Sequence, residues 1–138
     1  MLKTILVILI LLAAAGMAWV RLAPDDPERW HATSDIRDIG HAPGENWHVY
    51  REAGAGAARL EEIDAALRAM PRTERLAGSL AEGKVTYVTR SKLMGFPDYT
   101  TISLSEGGVL EVFARSRYGK SDMGVNRARV LALPGIVQ

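Results

Sequence analysis

The chain has 138 residues, a formal net charge of +1 and no cysteine. That length allows one domain rather than two. The missing cysteines exclude disulfides, a thiolate nucleophile, a cysteine metal site and an acylated lipoprotein cysteine. The charge is unevenly placed: Leu22 to Gly83 carries seven basic against twelve acidic residues, and Lys84 to the C-terminus eight against four. This asymmetry points to an anionic partner for the C-terminal half, or to two halves that neutralise each other on packing.

Thr4 to Val20 (TILVILILLAAAGMAWV) is a run of seventeen uncharged residues, at the short edge of the ~17–25 that span a bilayer as a helix. Lys3 precedes it, and Arg21 follows it ahead of Asp25, Asp26 and Glu28. The positive end is N-terminal, which predicts a cytoplasmic N-terminus and a domain on the periplasmic, extracytoplasmic side. Trp19 falls where an interfacial aromatic sits, and Arg21 can snorkel to the headgroups. The rival reading is a cleaved signal peptide with Ala13-Ala14-Ala15 as its small residues. The apolar run continues past that point, which favours an uncleaved anchor, and both readings place the domain in the same compartment.

Ala23 to Glu45 reads as a linker, punctuated by Pro24, Pro27, Pro43, Gly40 and Gly44. Trp30 and Trp47 are expected to dock it onto the domain. Ala57 to Met70 is the clearest helix: Leu60, Ile63, Leu67 and Met70 recur at helical spacing, acids lie early and Arg68 late, and Pro71 ends it. The period then changes to two. Strands are predicted at Arg75–Leu80, Lys84–Leu93, Tyr99–Ser105 and Val109–Tyr118, with a tight turn at Glu106-Gly107-Gly108. The last strand places Leu110, Val112 and Ala114 on one face and Glu111, Phe113, Arg115 and Arg117 on the other. After Gly119, Ser121 or Asp122 can cap a helix running to about Leu133, before Pro134. The expected fold is α+β: a small antiparallel sheet of three to four strands with two packed helices, behind one transmembrane helix. The expected division is an anchor over residues 1–22, a docking linker over 23–47 and the domain over 48–138.

The densest constellation is RSRYGKSDMGVNRAR, Arg115 to Arg129. Arginines from a strand end, a glycine break and a helix start are the ingredients of an anion site for phosphate or carboxylate. The predicted ligand contacts are Arg115, Arg117, Lys120, Ser121, Asp122, Asn126 and Arg127, with Asp98 and Tyr99 as the opposite lip. Arg117 and Arg127 hold the anion and Asp122 orients them. The structural alternative is that Asp122 pairs with Arg115, Arg117 or Arg127 to lock the helix onto the sheet. The glycine spacing and lysine position are not those of a Walker loop.

At these residues the sequence resembles the bacterial and chloroplast family catalogued as domain of unknown function 1499. The resemblance rests on Ser116, Arg117, Gly119, Ser121, Asp122, Gly124, Asn126 and Arg127, with Pro97 and Asp98 upstream. The opening RLAPDDPERWH, Arg21 to His31, is similar to members with a single N-terminal membrane segment. The resemblance implies kinship over most of the chain after the apolar segment, and no activity.

His31, His41 and His48 lack the spacing of a helical zinc site, so no metal or other cofactor is predicted. No Gly-x-Ser-x-Gly elbow is present. The basic residues are too few and too little interleaved with aromatics for nucleic acid. Two functions are carried forward. The first is a membrane-proximal module binding an anionic small molecule or lipid headgroup. The second is an interaction or scaffold module of the cell envelope. A hydrolase-like enzyme using Asp98 or Asp122 ranks third and needs one of them in a cleft with a strongly perturbed pKa.

Overall fold

A computed structural model describes residues 1–138 as ten elements. Helix α1 (Leu2–Leu22) is 21 residues long and buries none of them. At ~1.5 Å per residue it is ~32 Å long, close to the ~30 Å hydrocarbon thickness of a bilayer. Every side chain from Ile5 to Leu12 is exposed. One N-terminal helix is thus long and apolar enough to cross a membrane, a test that a signal sequence also passes.

The remaining elements are α2 (Pro27–Trp30), β1 (Gly40–Pro43), β2 (Trp47–Ala53), α3 (Ala57–Ala69), β3 (Thr73–Ser79), β4 (Lys84–Arg90), β5 (Pro97–Leu104), β6 (Val109–Ser116) and α4 (Val125–Leu131). The strands form one antiparallel sheet in the order β1-β2-β6-β5-β4-β3. The fold is α+β, and the expected three to four strands are corrected to six. The two additions come from the stretch read as linker and its border. β1 is a four-residue edge strand ending in Pro43, a residue that sheets tolerate only at edges. β2 has covered side chains on both faces, so its sequence WHVYREA shows no polar–apolar alternation.

One sheet face packs against α3 and α4. Leu60, Ile63 and Leu67 of α3 and Val130 of α4 meet Val85, Ile102 and Val112 of the central strands. The helical spacing seen in the sequence is therefore the core stripe of α3. Asp64, on the same helix, is fully buried. It accepts hydrogen bonds from the Tyr87 hydroxyl and, at 2.9 Å, from Arg68. Arg75 approaches it at 3.4 Å. This pin fixes α3 on β3 and β4.

The opposite face is covered by residues 23–39, a strap running from α1 to β1. Trp30 stacks on Tyr99 with centroids 4.0 Å apart and planes within 11°. Val88 completes this small second core. Further along, the buried Glu111 carboxylate accepts from the Ser34 amide at 2.8 Å and its hydroxyl at 3.0 Å. Arg51 flanks Glu111 at 3.4 Å. Gly78 lies where the strap crosses β3: a Cβ there would collide with the Lys84 carbonyl and the His31 ring, and its φ is +81°. His31 itself reaches the Thr86 hydroxyl at 2.8 Å. The docking expected of Trp30 is seen, whereas Trp47 is a residue of β2, edge-on to Phe113 at 6.4 Å.

Candidate functional site at the end nearest the N-terminal helix

Strand direction brings four connections to one end of the sheet: residues 44–46, 70–72, 91–96 and 117–124. The chain also enters the domain here. Arg21 donates to the Leu93 carbonyl at 2.6 Å. The Asp25 carboxylate then accepts from Arg90 at 2.7 Å and from the Tyr99 hydroxyl at 2.5 Å, with Arg117 at 3.7 Å. Burial, followed by the bond to Asp25, pushes the Tyr99 phenol up to about 12, so it stays a proton donor at neutral pH.

Most of the glycine-rich connection 117–124 is tied down by its own side chains. Asp122 accepts from the amides of Gly124 and Asn126, both at 2.9 Å. Burial raises its carboxyl, but these N–H donors outweigh that, and the pKa lies below the ordinary aspartate value. Asn126 is fully buried. Its amide donates to Asp122 at 2.7 Å, Ser116 at 2.9 Å and the Asn46 carbonyl at 3.1 Å, and its oxygen accepts from Arg129 at 2.8 Å. Arg129 also pairs with Asp98 at 3.0 Å. Asn46 returns the link by donating to the Gly119 carbonyl at 3.0 Å.

The predicted contacts therefore divide between the two faces. Arg115 is buried beneath the strap, donating to the Trp30 carbonyl and, at 3.1 Å, to Thr101. Burial lowers its pKa to about 10. Arg117 reaches the Pro24 carbonyl at 3.0 Å, and Tyr99 is fully buried under Trp30. These three hold the strap and do not meet Arg127. On the helix face, Asp98 and Asn126 belong to the Arg129 network, and Asp122 caps the start of α4. Lys120, Ser121 and Arg127 are exposed. The single anion pocket expected from Arg115, Arg117 and Arg127 together is not assembled.

Two clefts open at this end instead, on either side of the connection 91–96. One, of about 410 Å³, is lined by Phe96, Tyr118, Met123 and Val125 with Asp98, Ser121 and Asp122 among its polar groups. The other, of about 420 Å³, is bordered by Arg21, Arg72 and Arg90, with Glu74 as its one carboxylate. Each guanidinium spends one or two N–H donors on protein acceptors, leaving others for a guest. Arg72 and Met123 are the two non-glycine residues with positive φ, at 54° and 52°, and each lines one cleft. Left-handed backbone costs such residues ~1–2 kcal/mol, and strain of this kind gathers at functional positions.

Sequence reasoning missed the three-arginine cleft because its members lie in three separate segments. The available signals were weak: Arg21 closes the apolar run, Arg72 follows the helix-ending Pro71, and Arg90 ends a strand. No three histidine, aspartate or glutamate side chains converge as metal ligands. His41 and His48 meet each other at 2.9 Å, away from His31, which belongs to the strap and bonds Thr86.

An apolar N-terminal helix joined through a strap to a six-stranded α+β domain defines the class of protein. Residues 21–134 match the family described as protein of unknown function (DUF1499), and the chain belongs to that family. No curated protein matches the sequence.

Proposed function

We propose that this is a membrane-anchored, extracytoplasmic binding module for an anionic amphiphile, with α1 spanning the bilayer and its N-terminus in the cytoplasm. The observation that carries the reading is the convergence of Arg21, Arg72 and Arg90 on one cleft at the end where the chain leaves α1. Three guanidiniums against one carboxylate favour a phosphate or carboxylate headgroup. The position favours a guest that arrives in the plane of the membrane. The apolar lining of the neighbouring cleft suits a hydrocarbon portion, with Ser121 among its polar groups. Asp98 and Asp122 are occupied by Arg129 and by backbone amides, which argues for recognition rather than catalysis.

The test is mass spectrometry of molecules co-purifying with the full-length chain, extracted gently from its own membrane, beside Arg72→Gly. Glycine suits the left-handed backbone at this position, so the variant keeps its fold while losing a cleft guanidinium. An anionic lipid or metabolite retained by the parent and depleted in the variant supports the reading. Equal retention by both, or none by either, overturns it and directs the search to a protein partner.

A further inference from the structure

The end of the domain nearest α1 also carries an exposed apolar surface that runs outward from Phe96 and Met123 of the apolar-lined cleft to Leu93 and Met94. Leu93 is 81% exposed and Met123 is 93% exposed. Met94 and Phe96 are part-exposed beside them. A mobile loop would offer such side chains only transiently, but this one is built. The Ser91 amide donates to the Phe96 carbonyl at 3.0 Å, the Phe96 amide to the Ser91 hydroxyl at 3.0 Å, and the Gly95 amide to the Ser91 carbonyl at 3.1 Å. The loop is closed on itself with Leu93 and Met94 at its tip. The Phe96 and Tyr118 rings, 6.1 Å apart, connect it to the loop that presents Met123. Met123 holds its exposed side chain on left-handed backbone, a conformation that costs stability.

What lies beside this surface identifies what covers it. Arg21, in the last turn of α1, bonds the Leu93 carbonyl, and a Cβ on Gly95 would sit 2.9 Å from its side chain. Trp19 and Leu22, in the last turn of the same helix, are both largely exposed. Lys92 and Lys120 are exposed in the two loops. Apolar tips flanked by lysines, level with the end of an apolar helix, are what an anionic lipid–water interface accommodates.

We infer that the 91–96 loop and Met123 are seated in the interfacial layer of an anionic bilayer, holding the domain against the membrane with its arginine cleft at headgroup depth. This rests on α1 being a membrane span. The cysteine-free chain makes the test direct. Single cysteines at Leu93→Cys, Met123→Cys, Glu106→Cys in the turn at the opposite end of the sheet, and Ala13→Cys within α1 are labelled with an environment-sensitive fluorophore. The full-length protein is held in nanodiscs of phosphatidylglycerol and phosphatidylcholine, with and without nitroxide-labelled lipid. The expected result is blue-shifted emission and several-fold stronger quenching at 93 and 123 than at 106, with quenching at 13 as well. If position 13 is quenched while 93 and 123 behave like 106, α1 spans the bilayer and the docking inference fails. If 93 and 123 are blue-shifted without lipid quenching, protein covers the loops and the inference fails. If position 13 is not quenched, the span reading fails and the docking inference falls with it.

Discussion

Asn126→Ala tests whether the connection into α4 is architecture or ligand-binding surface. The side chain is fully buried and joins four groups: Asn46, Ser116, Asp122 and Arg129. Two of these bonds engage charged partners, a kind that contributes ~1.5–3 kcal/mol each, and the neutral ones ~0.5–1.5. Part of that loss is recovered. The Asn46 carbonyl keeps the Ser116 amide at 2.9 Å, Arg129 keeps Asp98, and Asp122 keeps its two backbone donors. A net loss of about 3 kcal/mol is expected, or a fall in Tm of ~10–15 °C for a domain of this size. The exposed neighbour changed in Arg127→Glu should shift stability by less than ~0.5 kcal/mol. Urea melts of both variants, monitored by tryptophan fluorescence, decide the matter. A loss below ~1 kcal/mol for Asn126→Ala, combined with lost ligand retention, would refute the architectural role and return Asn126 to the binding surface.

Three further outcomes follow from the same geometry. Trp30→Ala removes the stack on Tyr99 and should cost ~3–5 kcal/mol, opening residues 23–39 to limited proteolysis while α3 stays protected; unchanged protease resistance would mean that the strap is held without it. Asp25→Asn weakens the meeting point of Arg90, Tyr99 and Arg117 and should lower stability by ~1–3 kcal/mol, and the Tyr99 absorbance titration should move down from about 12. Acid should also destabilise the fold before the carboxylates titrate. Burial, then the neighbouring His41, lowers the pKa of His48, and burial followed by Lys84 lowers that of His31. The unfolded chain binds protons at these sites first, so their contribution is complete above about 6.5 and is lost as pH falls below it. The ring contacts give a structural reason. The Val137 carbonyl can only accept, so His41 must donate to it from Nε2 at 2.8 Å and accept at Nδ1 from His48 Nε2. That leaves the buried Nδ1 of His48 with no protein acceptor to receive a new proton. Urea midpoints that stay flat from pH 7.5 to 5.5 would contradict this account.

Those elements with a periodic apolar face were legible in the sequence. Leu60, Ile63 and Leu67 announced α3 by their spacing, and Leu110, Val112 and Ala114 announced the core face of β6. The Glu106–Gly108 turn and the helix after Asp122 were equally readable from local chemistry. What escaped was burial supplied by distant chain. β2 is covered by α4 on one side and flanked by the strap on the other, so no alternation marks it. Arg115 read as a ligand contact, and Glu111 simply as a residue of the same strand face, because their polarity is the same whether water or the Trp30 carbonyl and Ser34 satisfies them. The 115–129 stretch was correctly singled out as dense, yet its density is largely a network that closes one end of the sheet. The arginine cleft assembles Arg21, Arg72 and Arg90 only after folding, and nothing local in the sequence groups them.

The junction at Asp25 also sets a leash length. Only Ala23 and Pro24 separate the end of α1 from that fixed carboxylate, and the three Cα–Cα steps from Leu22 to Asp25 reach at most ~11 Å. Ala23 is itself buried, which shortens the free chain further. With α1 in a bilayer, the domain cannot reach a partner held tens of ångströms away. Its working range is the first layer above the lipid, and anything it meets must diffuse along the membrane or come down to it.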